Sequence, residues 1–221
     1  MTGFKPAPTR RGLVAGLLLA PLLFGGAAIA ALPPHAALSS EDQADLDRIQ
    51  AYLNGIKSVS GKFEQTNPDG STSAGKIWLS RPGKMRFEYD PPVKMLIVCD
   101  GDFIEVADRS DDDIQFVAVK DTPAWLILRD GITLSGDVTV THFERGPKIF
   151  RVTLVQNTDQ SENALTMVFS EEPLALRQWT VTDPQRGSTS VALTDLEDGG
   201  VSGRCTFVLP DSQANKRNPC R

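Results

Sequence analysis

A mainly β domain of about eleven antiparallel strands, with a few helical segments, is what this chain predicts, and three observations predict it. Between Phe63 and Gly101 four short runs rich in aromatic and branched residues alternate with turn chemistry at Asp69-Gly70, Arg81-Pro82-Gly83 and Pro91-Pro92, and Asp100-Gly101 closes the stretch. That order spells an antiparallel meander. In the third run Met85, Phe87 and Tyr89 alternate with Arg86 and Glu88, so one face of the strand is large and apolar and the other charged. The same rhythm of short strand and turn returns from Val138 to Leu196, with no internal repeat and no low-complexity linker. Such a sheet must hide its apolar face, behind a core or behind a ligand.

The first thirty residues read as an address. Lys5, Arg10 and Arg11 precede an uncharged run from Gly12 to Ala31, and Ala28-Ile29-Ala30 offers the small-x-small pattern of a cleavage site. Pro21 and Gly25-Gly26 interrupt the run, whereas a retained anchor wants about 20 predominantly apolar residues. Arg10-Arg11 followed by Gly12, Leu13 and Val14 resembles a twin-arginine signal, and a general secretory signal fits equally. The expectation is a signal peptide at 1–30 and one exported domain at 31–221. Without residues 1–30 the chain keeps 20 Lys and Arg against 28 Asp and Glu, a net charge of −8. It is long enough for a substantial core. Its acidity argues against nucleic acid and against anionic head groups as partners.

The elements follow in order. Ser40-Glu41-Asp42-Gln43 matches a capping box, and Leu46, Ile49, Leu53 and Ile56 recur at helical spacing to about residue 57. Val59–Asn67 is the first strand and leads into the meander. Strands at Phe103–Ala107 and Ile114–Val119 flank an acidic turn of Asp108, Asp111, Asp112 and Asp113. That turn lacks the glycine and terminal glutamate of a calcium hand and reads as solvated. Thr122-Pro123 starts a helix over Ala124–Asp130, with a capping hydroxyl and proline at the first helical position. Trp125, Leu126, Ile127 and Leu128 make this helix apolar on nearly all sides, hence enclosed, as core or as the plug of a hollow. Further strands are expected at Val138–Phe143, Ile149–Val155, Leu165–Phe169, Ala175–Val181 and Ser190–Leu196, and a last one at Cys205–Leu209.

Catalytic patterning is sparse. His35 lies in a Pro-rich leader and His142 near a strand end; there is no G-x-S-x-G elbow and no glycine-rich phosphate loop. The two histidines and three cysteines do not cluster as metal ligands would, and Glu171-Glu172 and Glu197-Asp198 sit at turns. No catalytic residue, metal or cofactor is expected, and the chain is not read as an enzyme. In an oxidising compartment Cys205 and Cys220 could form a disulfide that pins the C-terminus, while Cys99 is expected as a buried thiol.

Strand parity places Ile77, Leu79 and Arg81 on one face of the second strand, opposite Trp78, and Met85, Phe87 and Tyr89 on one face of the third. If those faces coincide, an arginine stands at the rim of an apolar wall. Its guanidinium needs acceptors, and the carbonyls at a helix end are natural ones.

Phe63-x-Gln65, Gly75-x-x-Trp78-Leu79-x-Arg81-Pro82, Phe87-Glu88-Tyr89, Pro91-Pro92 and the strand ending Asp100-Gly101 together resemble the LolA family, periplasmic carriers of lipoproteins to the outer membrane. The leading amphipathic helix and Thr122-Pro123 before an apolar helix agree with it. The likeness covers about residues 40–145, and the strand pattern alone agrees beyond. It implies an unclosed antiparallel β-barrel with helices covering the concave apolar face, and a hollow between them for acyl chains. The lining it implies is Ile77, Leu79, Met85, Phe87, Tyr89, Trp125, Leu126 and Ile127. It also implies that Arg81, in the Arg-Pro motif, bonds the covering segments and latches the empty carrier. The family often has an aromatic where Met85 stands and another near Ala124, where the bulk has moved to Trp125. The implied partners are acylated lipoproteins, an inner-membrane lipoprotein-releasing ABC transporter and an outer-membrane receptor, with the carrier a periplasmic monomer. A lipid or glycolipid shuttle or a lipoprotein sensor of the same fold is the alternative, and a structural domain with a filled core is the reading from a different class.

Overall fold

In the computed structural model the described residues are 36–110, 113–157, 163–201, 203 and 205–209. The expected signal peptide, residues 1–30, and Cys220 lie outside them. The first element of the described residues is helix α1 (Ser40–Gly55). Its capping box sits one residue earlier than the sequence pattern suggests. The Asp42 N–H donates to Ser39 Oγ at 3.1 Å and the Ser39 N–H donates to Asp42 Oδ2 at 2.9 Å. An acidic side chain three residues on completes that reciprocal pair. These bonds hold the Asp42 carboxyl below the usual carboxylate range.

Eleven strands follow: β1 (Ser58–Thr66), β2 (Thr72–Ser80), β3 (Lys84–Tyr89), β4 (Met95–Asp100), β5 (Phe103–Asp108), β6 (Asp113–Ala118), β7 (Val138–Gly146), β8 (Ile149–Gln156), β9 (Ala164–Glu171), β10 (Leu174–Asp183) and β11 (Gly187–Asp198). They form one antiparallel sheet in the order β6-β5-β4-β3-β2-β1-β11-β10-β9-β8-β7. The first and last strands pair in the middle, and β6 and β7 are the two free edges, so the barrel is not closed. Extra residues break the register at Asp195-Leu196 in β11, opposite Gly61 of β1, at Thr141 in β7 and at Arg177 in β10. Each such bulge bends its strand and increases the local twist, which curls the sheet.

The chain from 119 to 137 must pass from edge β6 to edge β7. It carries a 3-10 turn at Val119–Asp121 and helix α2 (Ala124–Leu128). The Thr122 hydroxyl does not cap α2: it donates to the Val119 carbonyl at 2.9 Å, closing the preceding turn, and Pro123 is the N-cap.

Ile77 faces Phe87 and Leu79 faces Met85 across β2–β3, so the two apolar faces coincide on the concave side. Trp78, of opposite parity, joins a second apolar cluster on the outside with Leu96, Val98, Ala107, Phe207 and Leu209. The segment Cys205–Leu209 is a turn and not the twelfth strand expected. Phe207 and Leu209 dock it by their side chains, and Arg86 Nη1 donates to the Thr206 carbonyl at 3.3 Å. The alternation of Phe207 and Leu209 thus reflects docking on a sheet face and not a ladder. Cys205 is disulfide-bonded, and Cys99 is a buried free thiol.

Candidate functional site

The covering segments are held over the concave face by polar contacts at a few points. An α-helix leaves its last carbonyls without intrahelical donors. In α1 those of Leu53 and, just beyond the helix, Ile56 accept from Arg81 Nη1, the latter at 3.1 Å. Arg81 Nε donates to the Ile127 carbonyl of α2 at 2.7 Å. One guanidinium therefore joins the end of β2 to both covering helices. The turn beside it adds a bond from the Gly83 N–H to the Leu128 carbonyl at 2.9 Å. Gly83 has φ +76°, and a Cβ there would lie 3.0 Å from the Gly101 Cα. Only glycine makes that turn without strain. Burial disfavours the charged form of Arg81, and Asp130 acts in the opposite direction.

A second tie lies along α1. Asn54 Nδ2 donates to the Ile132 carbonyl at 2.8 Å, and the Ile132 N–H returns a 2.8 Å bond to Asn54 Oδ1. The Leu134 N–H donates to Gln50 Oε1 at 2.9 Å. At the far side Trp125 Nε1 donates to Gln156 Oε1 on β8 at 2.8 Å, and Arg129 lies 4.8 Å over the indole.

Two voids flank α2. The more enclosed one, about 320 Å³, lies behind Arg81. It is lined by Tyr52 and Ile56 of the α1 end, Val59, Ile77 and Leu79 of β1–β2, Ile127 of α2, and Ala175, Leu176, Trp179, Leu193 and Leu196 of β10–β11. Arg177 and Asp198 also border it. The other is an open groove of about 740 Å³ between the β5–β6 edge, α2 and the β7–β8 end, with Phe103, Ala118, Val119, Trp125 and Leu128 on its walls.

Of the expected lining, the structure brings Ile77, Leu79 and Ile127 together around the enclosed cavity, with Arg81 at its edge. Met85, Phe87 and Tyr89 are buried behind it. The Phe63 ring meets Phe87 at 4.8 Å and Tyr89 at 5.0 Å, edge to face. Phe87 in turn meets Trp179 at 6.1 Å. The Tyr89 hydroxyl donates to Gln65 at 2.7 Å, and burial pushes its pKa up to about 12. Trp125 faces the open groove, while Leu126 points to a small void beside Val138, Leu154 and Leu165. Sequence reading missed Tyr52, Trp179 and Leu193. The alternation of Val191 and Leu193 carries a signal for β11, whereas the bulge at Arg177 hides it in β10. Among the described residues no group of three or more His, Cys, Asp or Glu could hold a metal ion, and no helix is long and apolar enough to cross a membrane.

The sequence is similar to those of several known proteins. An "Outer-membrane lipoprotein carrier protein" of Chromohalobacter salexigens is 28% identical over 179 residues, covering 75% of this chain and 83% of that one. Proteins of the same description are 29% identical over 117 residues in Pseudomonas aeruginosa and 33% identical over 105 residues in Legionella pneumophila. The chain spans about half the length of these two, 55% and 50%. Among solved structures, a LolA superfamily protein from Nitrosomonas europaea has a TM-score of 0.40 at 9% identity, covering 73% of this chain and 96% of that one. The MucA/MucB complex of Pseudomonas aeruginosa gives 0.42 at 16%, covering 76% and 61%. Those likenesses are too slight to argue from. The sequence pattern of the family described as "Outer membrane lipoprotein carrier protein LolA" matches residues 54–207, and the chain belongs to that family.

Proposed function

We propose that this protein is a non-enzymatic periplasmic carrier that shelters the acyl chains of lipoproteins between the inner and the outer membrane. On this reading it receives cargo from an inner-membrane ABC transporter and yields it to an outer-membrane receptor. The observation that carries the reading is the enclosed apolar cavity closed by hydrogen bonds from Arg81. Each methylene taken out of water is worth about 0.8 kcal/mol, so an acylated protein does not cross an aqueous space unaided. The cavity accepts the first part of a chain, and α2 must move for more to enter. Entry then exchanges the bonds of Arg81 to Leu53, Ile56 and Ile127 for apolar burial. The loaded state is opposed by the latch it has opened, which favours delivery. The same reading takes residues 1–30 as the export signal and pairs Cys205 with Cys220.

A fluorescent fatty-acid probe and spheroplasts test this. Saturable uptake by the delipidated protein and release of lipoproteins from spheroplasts are the expected results. Uptake without release makes the protein a lipid shuttle, and no uptake makes the interior an ordinary core.

A further inference from the structure

The two free edges of the sheet differ in a way that cargo shelter alone does not require. Edge β7 is covered: the Ala36 N–H donates to the Val140 carbonyl at 2.8 Å, and Arg145 is ion-paired with Glu41 and Asp45 of α1. Edge β6 has β5 on one side and no described strand on the other. The Val119 N–H donates to the Asp102 carbonyl at 2.9 Å, which sets the alternation of the β5–β6 ladder. Val117 and Gln115 then bond inward, and Ile114 and Phe116 turn their N–H and C=O groups away from the sheet, as Ala118 does its N–H, its C=O opening the 3-10 turn. Among the described residues the exposed large hydrophobic ones, Phe103 (52%), Phe116 (53%) and Val117 (39%), all belong to β5 and β6. Natural edges are ordinarily blunted by charge, proline or a covering segment. Here Gln115 and Phe116 at the centre of β6 are followed by Val117 and Ala118 without a charge.

We infer that β6 is a docking edge for the polypeptide of the cargo: the extended residues that follow the acylated cysteine add to the sheet as a further strand. This rests on the carrier reading. The occupant follows from position. The open groove beside α2 ends on Phe103, Ala118 and Val119, so a chain threaded under α2 through the groove leaves its head group at the C-terminal end of β6. The attached peptide is thereby tethered beside an edge that no described strand covers, where pairing is effectively intramolecular. An unfolded linker of any sequence can satisfy the outward N–H and C=O groups, because strand addition draws its affinity from main-chain bonds. Phe116 and Val117 shield those bonds on the two faces. A carrier of many cargoes would gain grip without sequence preference.

The test compares three probes on the delipidated protein: a diacylated-cysteine peptide with a six-residue linker, the same lipopeptide with N-methylated linker amides, and a free fatty acid. The unmethylated lipopeptide is expected to bind roughly tenfold tighter than the methylated one, the scale of two or so neutral hydrogen bonds. It should slow hydrogen exchange at the Phe116 and Ala118 amides, which the fatty acid should leave unchanged. Phe116→Pro, which removes an outward donor without touching the inward ladder, should abolish that difference and keep fatty-acid affinity. Phe116→Lys, which keeps the backbone donor, should retain most of the exchange protection. Equal affinity for both lipopeptides, or no protection at Phe116 and Ala118, overturns the inference. So does protection of β6 in unliganded protein that sediments as a dimer, since a second copy would then own the edge. Failure of the fatty acid to bind wild type overturns the carrier reading instead.

Discussion

The interior has two halves of one chemistry and unequal filling. Beneath the middle of α1, Ile49 and Leu53 interlock with Phe150, Val152, Met167 and Phe169 of β8 and β9, each 2% exposed or less. Beneath the end of α1 and α2, Ile77, Leu79, Trp179 and Leu193 are as apolar, yet they enclose about 320 Å³ of space. Side chains that border a void forgo contacts on one side. What closes the second half is therefore mostly hydrogen bonding, from Arg81, Gly83 and Asn54, and hydrogen bonds can be exchanged one for another where interlocked rings cannot. The packed half holds the fold together, and the hollow half is free to change.

The comparison breaks most visibly under truncation. Phe169→Ala is expected to cost about 3–5 kcal/mol of unfolding free energy, the range for deleting a fully buried ring. Trp179→Ala deletes a larger ring and should cost less, because part of that ring already borders the cavity. Urea denaturation of both variants measures this. Equal or reversed losses would mean that the two halves are packed alike.

Much of this division was legible in the sequence, for identifiable reasons. Period-two patterning survives wherever a strand is regular. Ile77, Leu79, Phe87 and the Arg81 rim therefore came out on one face, and Trp78 came out on the other. Bulges erase that signal. At Arg177 the parity of β10 shifts by one, and Trp179 was invisible as a wall of the cavity. A short helix apolar on all sides gives no hint of which side faces what, so Leu126 and Ile127 could not be told apart, although they point into different voids. Alternation also does not separate a strand from a segment laid on a sheet, as Cys205–Leu209 shows.

The latch proposed for Arg81 is the next place to press. Arg81→Leu removes three bonds from a charged donor to carbonyls of α1 and α2. A single hydrogen bond to a charged group is worth about 1.5–3 kcal/mol, and the empty protein should lose an amount of that order. Cargo should still enter, but delivery to an acceptor should fail, because the empty state no longer regains what opening gave up. Asn54→Ala, which removes two neutral bonds to Ile132, should show the same pattern at roughly half the size. Transfer from protein to acceptor, timed with a fluorescent lipopeptide, reads both. Wild-type delivery by Arg81→Leu would take that residue out of the mechanism and leave the hollow half without its closing device.

The smallest effect sharpens the comparison furthest, because a solid interior and a hollow one predict opposite outcomes for adding volume. In a close-packed core extra atoms force side chains off their rotamers, at a cost of about 1–3 kcal/mol. Val152→Trp, in the packed half, should incur that cost. Leu79→Trp directs the added ring system into the enclosed cavity and should change stability by well under about 1 kcal/mol, since the atoms gained there fill empty space and displace no side chain. The same variant should bind the fatty-acid probe more weakly, the indole having taken space the chain would use. A folded Leu79→Trp protein with unaltered probe affinity would place the acyl chain wholly in the open groove along Trp125, with none of it in the cavity. A large loss of stability would instead show the cavity to be smaller in solution than its walls allow.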